Sequence, residues 1–288
     1  MCGIVGILGK TPVAINLVDA LRPLEYRGYD SAGIATVETG TLERRRAEGK
    51  LRNLEKRLLS EPLEGLTGIG HTRWATHGRP TERNAHPHMT AKVSVVHNGI
   101  IENFRELRAD LESKGHKFET ETDTEVLSNL IEFYYEKGEN VSAELAVRMA
   151  LSKVVGAYGI VVFCKNEPDK LIAARKGSPL VVGIGRGEYF LASDATPIIE
   201  YTDSMIYLND EDVAIVSKDG LTLKTIQNDP VAFKVTKVDL SIGDLEKGDF
   251  EHFMLKEIFE QPKTIADTFR GRIKADQSDI VLGGLIDV

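Results

Sequence analysis

Met1-Cys2-Gly3-Ile4-Val5-Gly6-Ile7-Leu8 is the stretch from which the fold is read, an apolar run punctuated by glycine and closed by Gly9-Lys10. It reads as a buried strand that begins at the first residues of the sequence. Working outward, Thr11-Pro12 opens a helix in which Val13, Leu17, Val18, Leu21 and Leu24 recur at helical spacing, with Thr11 as the expected N-cap and Pro12 in the first turn. Further strands are expected at 31–37, 67–72 and 93–96, the last closing on His97-Asn98-Gly99. Helices are expected over 103–113, 123–136 and 142–154, with Asp123 and Ser142 where N-caps belong. From 159 to about 225 strand follows strand, at 160–164, 171–174, 180–184, 189–192, 205–208 and 213–216. Short turns at this spacing imply antiparallel pairing. Strands towards both ends with helices clustered between them predict an α+β fold of stacked sheets covered by helices. Around Asp239 the composition shifts to an acidic, glycine-containing stretch at 239–249, followed by helical patterns at 250–258 and 264–269. The expected organisation is therefore one domain over 2–238, then a linker and the start of another domain over 239–288.

Composition narrows the classes. With 288 residues, 42% of them apolar and 28% charged, the chain can bury a substantial core as one large domain or two modest ones. A net charge of −8 opposes nucleic acid and anionic membranes, which leaves a small molecule as the expected partner. Cys2 and Cys164 are too far apart for a CxxC pattern, and two cysteines make no disulfide scaffold, so a reducing cytoplasm fits best. The opening residues lack the basic stretch of a signal peptide, and no apolar run approaches the roughly 20 residues a membrane helix needs. His71, His77, His86 and His88 lack the HExxH pattern and any cysteine or carboxylate at ligand spacing, so no metal is expected. Gly183-Ile184-Gly185-Arg186-Gly187 lies between two short strands and reads as a hairpin turn rather than a phosphate loop. The basic run from Arg44 to Arg57 is interleaved with Glu48 and Glu55 and follows Glu43, so it is expected to be solvated. Cys164, in an apolar strand, is expected to be buried and inert.

The candidate chemistry begins at Cys2. If Met1 is removed, one residue carries both a thiol and an α-amine, whose reference pKa values lie near 8.5 and about 7.7–8.0, so the amine can take the thiol proton without a histidine. Taken alone, the residue reads more simply as a small apolar side chain starting a strand. Asn98-Gly99 could supply an oxyanion hole from a side-chain amide and a backbone N–H, although Asn-Gly is also a common hairpin turn. For an amino-acid ligand, Arg73 in His71-Thr72-Arg73-Trp74-Ala75-Thr76-His77-Gly78 could grip a carboxylate, and Asp123 in Glu121-Thr122-Asp123-Thr124-Glu125 could hold an ammonium.

These segments occur in one order with Leu24-Glu25-Tyr26-Arg27-Gly28-Tyr29-Asp30-Ser31-Ala32-Gly33, Asn84-Ala85-His86-Pro87-His88 and Ile100-Ile101-Glu102-Asn103. Together they closely resemble the N-terminal region of the glutamine:fructose-6-phosphate amidotransferases, the glucosamine-6-phosphate synthase family, from Cys2 to about residue 240. The run from His252 to Pro262 resembles that family's entry into its sugar-phosphate isomerase domain. The resemblance implies a class II glutaminase with the N-terminal-nucleophile hydrolase fold, a four-layer αββα sandwich. It implies that Cys2 attacks the L-glutamine side-chain amide with its own amine as base, while Asn98 and the Gly99 N–H hold the oxyanion. Arg73, Thr76 and His77 would bind the carboxylate end, and Asp123 with the Gly99 carbonyl the ammonium. Trp74 would gate the loop that closes over the substrate, and Arg27 and Asp30 would brace the nucleophile turn. No cofactor is implied. The ammonia would pass to a C-terminal isomerase domain acting on fructose 6-phosphate in a full-length homodimer. Two other readings stay open at this point: a phosphoribosylpyrophosphate-type amidotransferase glutaminase, and a catalytically inactive interaction module.

Overall fold

The computed structural model describes residues 2–138, 141–238 and 250–269. Its α-carbon contacts divide the chain into two units, Met1–Asp239 and Leu240–Val288. In the first unit β1 (Gly3–Leu8) leads to α1 (Ala14–Leu21), β2 (Ser31–Glu38), β3 (Thr41–Glu48), α2 (Leu51–Ser60) and β4 (Thr67–Arg73). Then come β5 (His88–Met89), β6 (Val93–Ile101) and three helices, α3 (Phe104–Ser113), α4 (Thr124–Tyr135) and α5 (Ala143–Leu151). The rest is strand: β7 (Gly156–Cys164), β8 (Glu167–Lys176), β9 (Val181–Ile184), β10 (Tyr189–Ala192), β11 (Ser204–Tyr207), β12 (Asp212–Ser217), β13 (Gly220–Thr225) and β14 (Thr236–Lys237).

Among the described residues these strands form an eight-stranded sheet in the order β14-β11-β9-β10-β1-β4-β2-β3 and a six-stranded sheet in the order β13-β12-β8-β7-β6-β5. Every pairing between them is antiparallel. The two-residue period of the strands sorts their side chains into layers. In β7, Val161 and Phe163 join Ile4, Leu8 and Ile69 of the other sheet in the core between the sheets. Its alternate residues Ile160, Val162 and Cys164 pack with Val126, Leu130 and Val147 from α4 and α5. On the far side of the first sheet, Val5 and Ile7 pack with Leu17, Leu21 and Leu54 from α1 and α2. The result is helix, sheet, sheet, helix, the four-layer αββα sandwich that the sequence implies. Ile4 and Val5 are fully buried, and such burial contributes on the order of 1.5–3 kcal/mol per side chain. The strand that carries Cys2 is thus anchored where a segment so near the first residue would otherwise fray.

Several local expectations are corrected. α1 begins at Ala14, and its N-cap position is Val13 rather than Thr11. The Val13 N–H is satisfied by the Gly65 carbonyl at 3.0 Å, and no side chain caps the helix. Asp123 occupies the N-cap position of α4 without capping it, because its Oδ2 accepts the Ile101 N–H at 2.9 Å. Ser142 does cap α5, accepting the Leu145 N–H at 3.2 Å. β6 does not stop at Val96 but continues through His97, Asn98 and Gly99 to Ile101. The basic run is solvated only in part: Lys50, Arg52 and Lys56 are exposed as expected, but Arg44 donates to the Pro87 carbonyl at 3.0 Å, and Arg46 to the Arg83 and Ala85 carbonyls, each at 2.9 Å. Gly183–Gly187 is a hairpin turn, as expected, between the antiparallel β9 and β10.

In the second unit, residues 253–269 form one helix, α6 (Phe253–Phe269), with Pro262 inside it, where two helices were expected. The acidic stretch at 239–249 lies outside the described residues. No described helix is long and apolar enough to cross a membrane.

Candidate active site

Cys2 stands immediately before β1, a central strand flanked by β4 and β10, so its position is fixed from both sides. Its Sγ accepts the Trp74 N–H at 3.1 Å and lies 3.5 Å from the Trp74 carbonyl oxygen, which it reaches as a donor. Burial raises the thiol pKa, and the Trp74 N–H partly opposes that rise. The half-buried thiol therefore needs a base to ionise near neutral pH. Cys164 is fully buried in β7, where desolvation pushes its thiol up strongly.

Across the sheet interface, Asn98 Nδ2 donates to the Cys2 carbonyl at 3.0 Å. Its neighbour Gly99 has φ +134°, and a Cβ there would lie 2.0 Å from the Ala157 carbonyl oxygen, so only glycine fits. Arg73, at the end of β4, is buried to 3% exposure and lines the same cavity. Its guanidinium donates to the Arg79 carbonyl at 3.1 Å, to the Gly78 carbonyl at 3.2 Å and to the His77 carbonyl. Asp30 holds the other end of this loop by accepting the Ala75 N–H at 2.5 Å. Asn84 and Glu121 complete the anchorage, joined by Asn84 Nδ2 donating to Glu121 Oε2 at 3.1 Å and by the Glu121 N–H donating to Asn84 Oδ1 at 3.1 Å. Trp74, half exposed, meets Tyr29 edge to face with ring centroids 5.6 Å apart. Arg27 forms a 2.6 Å ion pair with Asp194.

The cavity has a volume of about 300 Å³ and gathers Cys2, Arg73, Trp74, Thr76, His77, Asn98, Gly99 and Asp123 in its lining. Every residue expected to carry catalysis or bind substrate is thus brought to one place, with Arg27 also in the lining and Asp30 outside it. That size suits a ligand of amino-acid dimensions. The arrangement can place a nucleophile beside an amide donor, with a buried cation and a buried carboxylate available to a zwitterion.

Sequence reasoning missed Ser178, Pro179 and Ser193, which also line the cavity. Ser193 Oγ accepts the Ile4 N–H at 3.0 Å, tying β10 to the strand behind Cys2. No local pattern marks a serine for this role.

The buried histidines form a scaffold. His71 stacks on His86 with centroids 4.0 Å apart, and His86 meets His88 edge to face at 4.7 Å. His86 Nε2 and His97 Nδ1 share Thr124 Oγ1 at 3.1 and 2.9 Å, and His88 Nε2 reaches Thr122 Oγ1 at 3.1 Å. These bonds clamp the start of α4, and with it Asp123, against the sheet. Among the described residues no group of histidine, cysteine or carboxylate is arranged to hold a metal. Burial pushes His71 down to about 3, and His86 and His88 well below the ordinary range.

Acid should therefore destabilise the fold. Each of these histidines is neutral when folded, because burial opposes its charged form, but binds a proton when unfolded below about pH 6.5, so stability is full above that pH and is lost as pH falls below it, for His71 down to about 3. The slope steepens as the pH passes below about 6.5, where the unfolded histidines take up their protons. Urea unfolding at pH 7, 6 and 5 measures it. A stability that stays level across that range would mean that these rings are not held neutral.

A family model described as "Glutamine amidotransferase domain" matches residues 61–238. The chain belongs to this family. The chain is 48% identical over 292 residues to the glutamine–fructose-6-phosphate aminotransferase [isomerizing] of Chlorobaculum tepidum, an alignment covering 100% of this chain and 47% of that protein. It is 55% identical over 268 residues to the protein of the same name from Brucella suis, covering 93% of this chain and 44% of the relative. The chain thus spans about half the length of the curated relatives it matches. Among solved structures, the glutamine phosphoribosylpyrophosphate amidotransferase from B. subtilis aligns with a TM-score of 0.66 at 24% identity, over 78% of this chain and 49% of that one. At that identity the likeness establishes the fold.

Proposed function

We propose that this domain hydrolyses the side-chain amide of L-glutamine to glutamate and ammonia through a thioester on Cys2. The observation that carries the reading is the single cavity in which the Cys2 thiol, the Asn98 amide, Arg73 and Asp123 converge. Once Met1 is removed, the Cys2 α-amine takes the thiol proton and Sγ attacks the amide carbon. The C=O electron pair moves onto oxygen, where Asn98 Nδ2–H and the Gly99 N–H receive it. The protonated amine then gives its proton to the departing nitrogen, which leaves as ammonia, and the carbonyl re-forms as a thioester. Water, deprotonated by the same amine, attacks that thioester and releases glutamate and the thiol. Arg73, Thr76 and His77 serve the carboxylate end of glutamine, Asp123 and the Gly99 carbonyl its ammonium, and Trp74 closes the loop over it.

The names of the curated relatives support a wider role, in which ammonia is used by an isomerase domain to convert fructose 6-phosphate to glucosamine 6-phosphate. In that reading residues 239–288 are the linker and the start of that domain, and the whole enzyme is a cytoplasmic homodimer.

The test is to incubate the purified chain with glutamine and fructose 6-phosphate. Glutamate should appear without glucosamine 6-phosphate, because the residues converging in the cavity serve amide hydrolysis. A glutamine-mimicking electrophile, located by peptide mass mapping, should modify Cys2 and spare Cys164. Failure to release glutamate, or labelling confined to Cys164, would overturn the proposal.

A further inference from the structure

The oxyanion donor works only in one of its two amide orientations. If the Asn98 side chain were turned over, Oδ1 would face the developing negative charge and the amide would repel what it should stabilise. Van der Waals packing does not distinguish the two orientations, since the amide O and NH₂ have nearly the same size. The Cys2 carbonyl, which can only accept, favours Nδ2 on its side, and a donor behind Oδ1 would fix the orientation from the other.

His71 is placed to do so. Its Nε2 lies 3.1 Å from Asn98 Oδ1 and 3.1 Å from the His97 carbonyl oxygen. A backbone carbonyl can only accept, so the ring proton must be on Nε2. That proton faces Asn98 Oδ1 as well, and a donor there accepts no amide N–H. The amide is left with Oδ1 towards His71 and Nδ2 towards Cys2, where it donates to the Cys2 carbonyl at 3.0 Å. The imidazole itself has little freedom. It is fully buried on β4 and stacked on the His86 ring at a centroid separation of 4.0 Å. We propose that His71 is a positioning residue that sets the amide orientation of Asn98 and thereby keeps the oxyanion donor aimed at the reacting carbonyl. It touches no substrate and acts through Asn98 alone. This inference rests on the glutaminase reading.

The experiment compares His71→Gln with His71→Asn in the full chain. Both side chains are smaller than imidazole and both carry an amide. A glutamine N–H reaches the place of Nε2, whereas an asparagine N–H ends near that of Nδ1 and falls short of Asn98. His71→Asn should melt lower than His71→Gln, because it leaves the His97 carbonyl and Asn98 Oδ1 without their donor, so kinetics are measured well below both melting temperatures, where each variant is folded. In glutaminase kinetics, His71→Gln should keep kcat within about 3-fold, while His71→Asn should lose roughly 10- to 100-fold, part of the 10²- to 10³-fold at stake in one oxyanion donor. KM for glutamine should stay within about 3-fold in both, since the ground-state contacts are untouched.

Adding His71→Asn to Asn98→Ala should cost nothing more in kcat, because the residue it orients has gone. Equal kcat losses in the Gln and Asn variants, or a His71→Asn loss that adds in full to that of Asn98→Ala, would overturn the inference. An Asn98→Ala enzyme with normal kcat would instead remove the oxyanion role on which the inference depends, so the two failures are distinguishable.

Discussion

A chain carrying one extra residue ahead of Cys2, or retaining Met1, is expected to lose glutamine turnover although its thiol is unchanged. Among the described residues, the hydrogen-bond partners of Cys2 Sγ are the Trp74 N–H and carbonyl, neither of which is a base. Burial raises the thiol, so it does not ionise unaided. An α-amine with a pKa near 7.7–8.0 can accept its proton, whereas an acylated nitrogen has no basic lone pair. General-base assistance is worth on the order of 10²- to 10⁴-fold, and kcat should fall by that factor. Intact mass of the N-terminus, measured beside glutamate release, gives the comparison. An extended chain with undiminished turnover would require a different base.

Asn98→Ala is expected to lower kcat by on the order of 10²- to 10³-fold, about 2.7–4 kcal/mol of barrier, while KM changes little. The donor acts where charge develops, and the ground-state amide needs it less. Arg73→Ala should show the opposite signature, a KM raised roughly 10- to 100-fold, because a charged contact worth about 1.5–3 kcal/mol is lost from ground and transition states alike. The structure adds a second consequence for Arg73. Its guanidinium holds the carbonyls of His77, Gly78 and Arg79, so the alanine variant should also loosen that loop and unfold at a lower temperature. Steady-state kinetics and thermal unfolding of both variants separate these effects. Near-normal kcat in Asn98→Ala would exclude the side chain from the oxyanion hole.

The segments legible in sequence are those whose residues are apolar because both faces of a sheet are covered. Gly3–Leu8, Ser31–Glu38 and Thr67–Arg73 are buried almost throughout, and each is found within a residue or so of its expected place. β3 was missed because Thr-Leu-Glu-Arg-Arg-Arg-Ala-Glu is an edge strand whose arginines find partners in backbone carbonyls rather than in water. α2 was hidden by the same charges, although Leu51 and Leu54 mark its buried face. Cys2, Arg73, Asn98, Gly99 and Asp123 could be singled out because the chemistry of each depends on its own residue type. The contacts that orient them could not. His71 is 26 residues from His97 and 27 from Asn98, and Ser193 is 189 from Ile4, separations closed only by the stacking and pairing of strands. Ser142 caps α5 as expected, but the expected caps of α1 and α4 failed for a related reason, since the partners of Val13 and Asp123 lie in distant loops and strands.

The placing of β1 between β4 and β10 sets a timetable for the chain as it is made. Its first edge finds a partner only when residues 67–73 have been synthesised, and its second only when residues 189–192 have followed. At about 5–20 residues per second, reaching residue 192 takes roughly 10–40 s, and throughout that interval the leading segment lacks its second strand neighbour. A peptidase that must grasp an extended leader to cut the Met1–Cys2 bond has this interval in which to act. Afterwards Gly3–Leu8 is a buried interior strand, and Cys2 is fixed against Trp74. A newly made molecule that folds before it is trimmed would keep a complete pocket and a silent nucleophile.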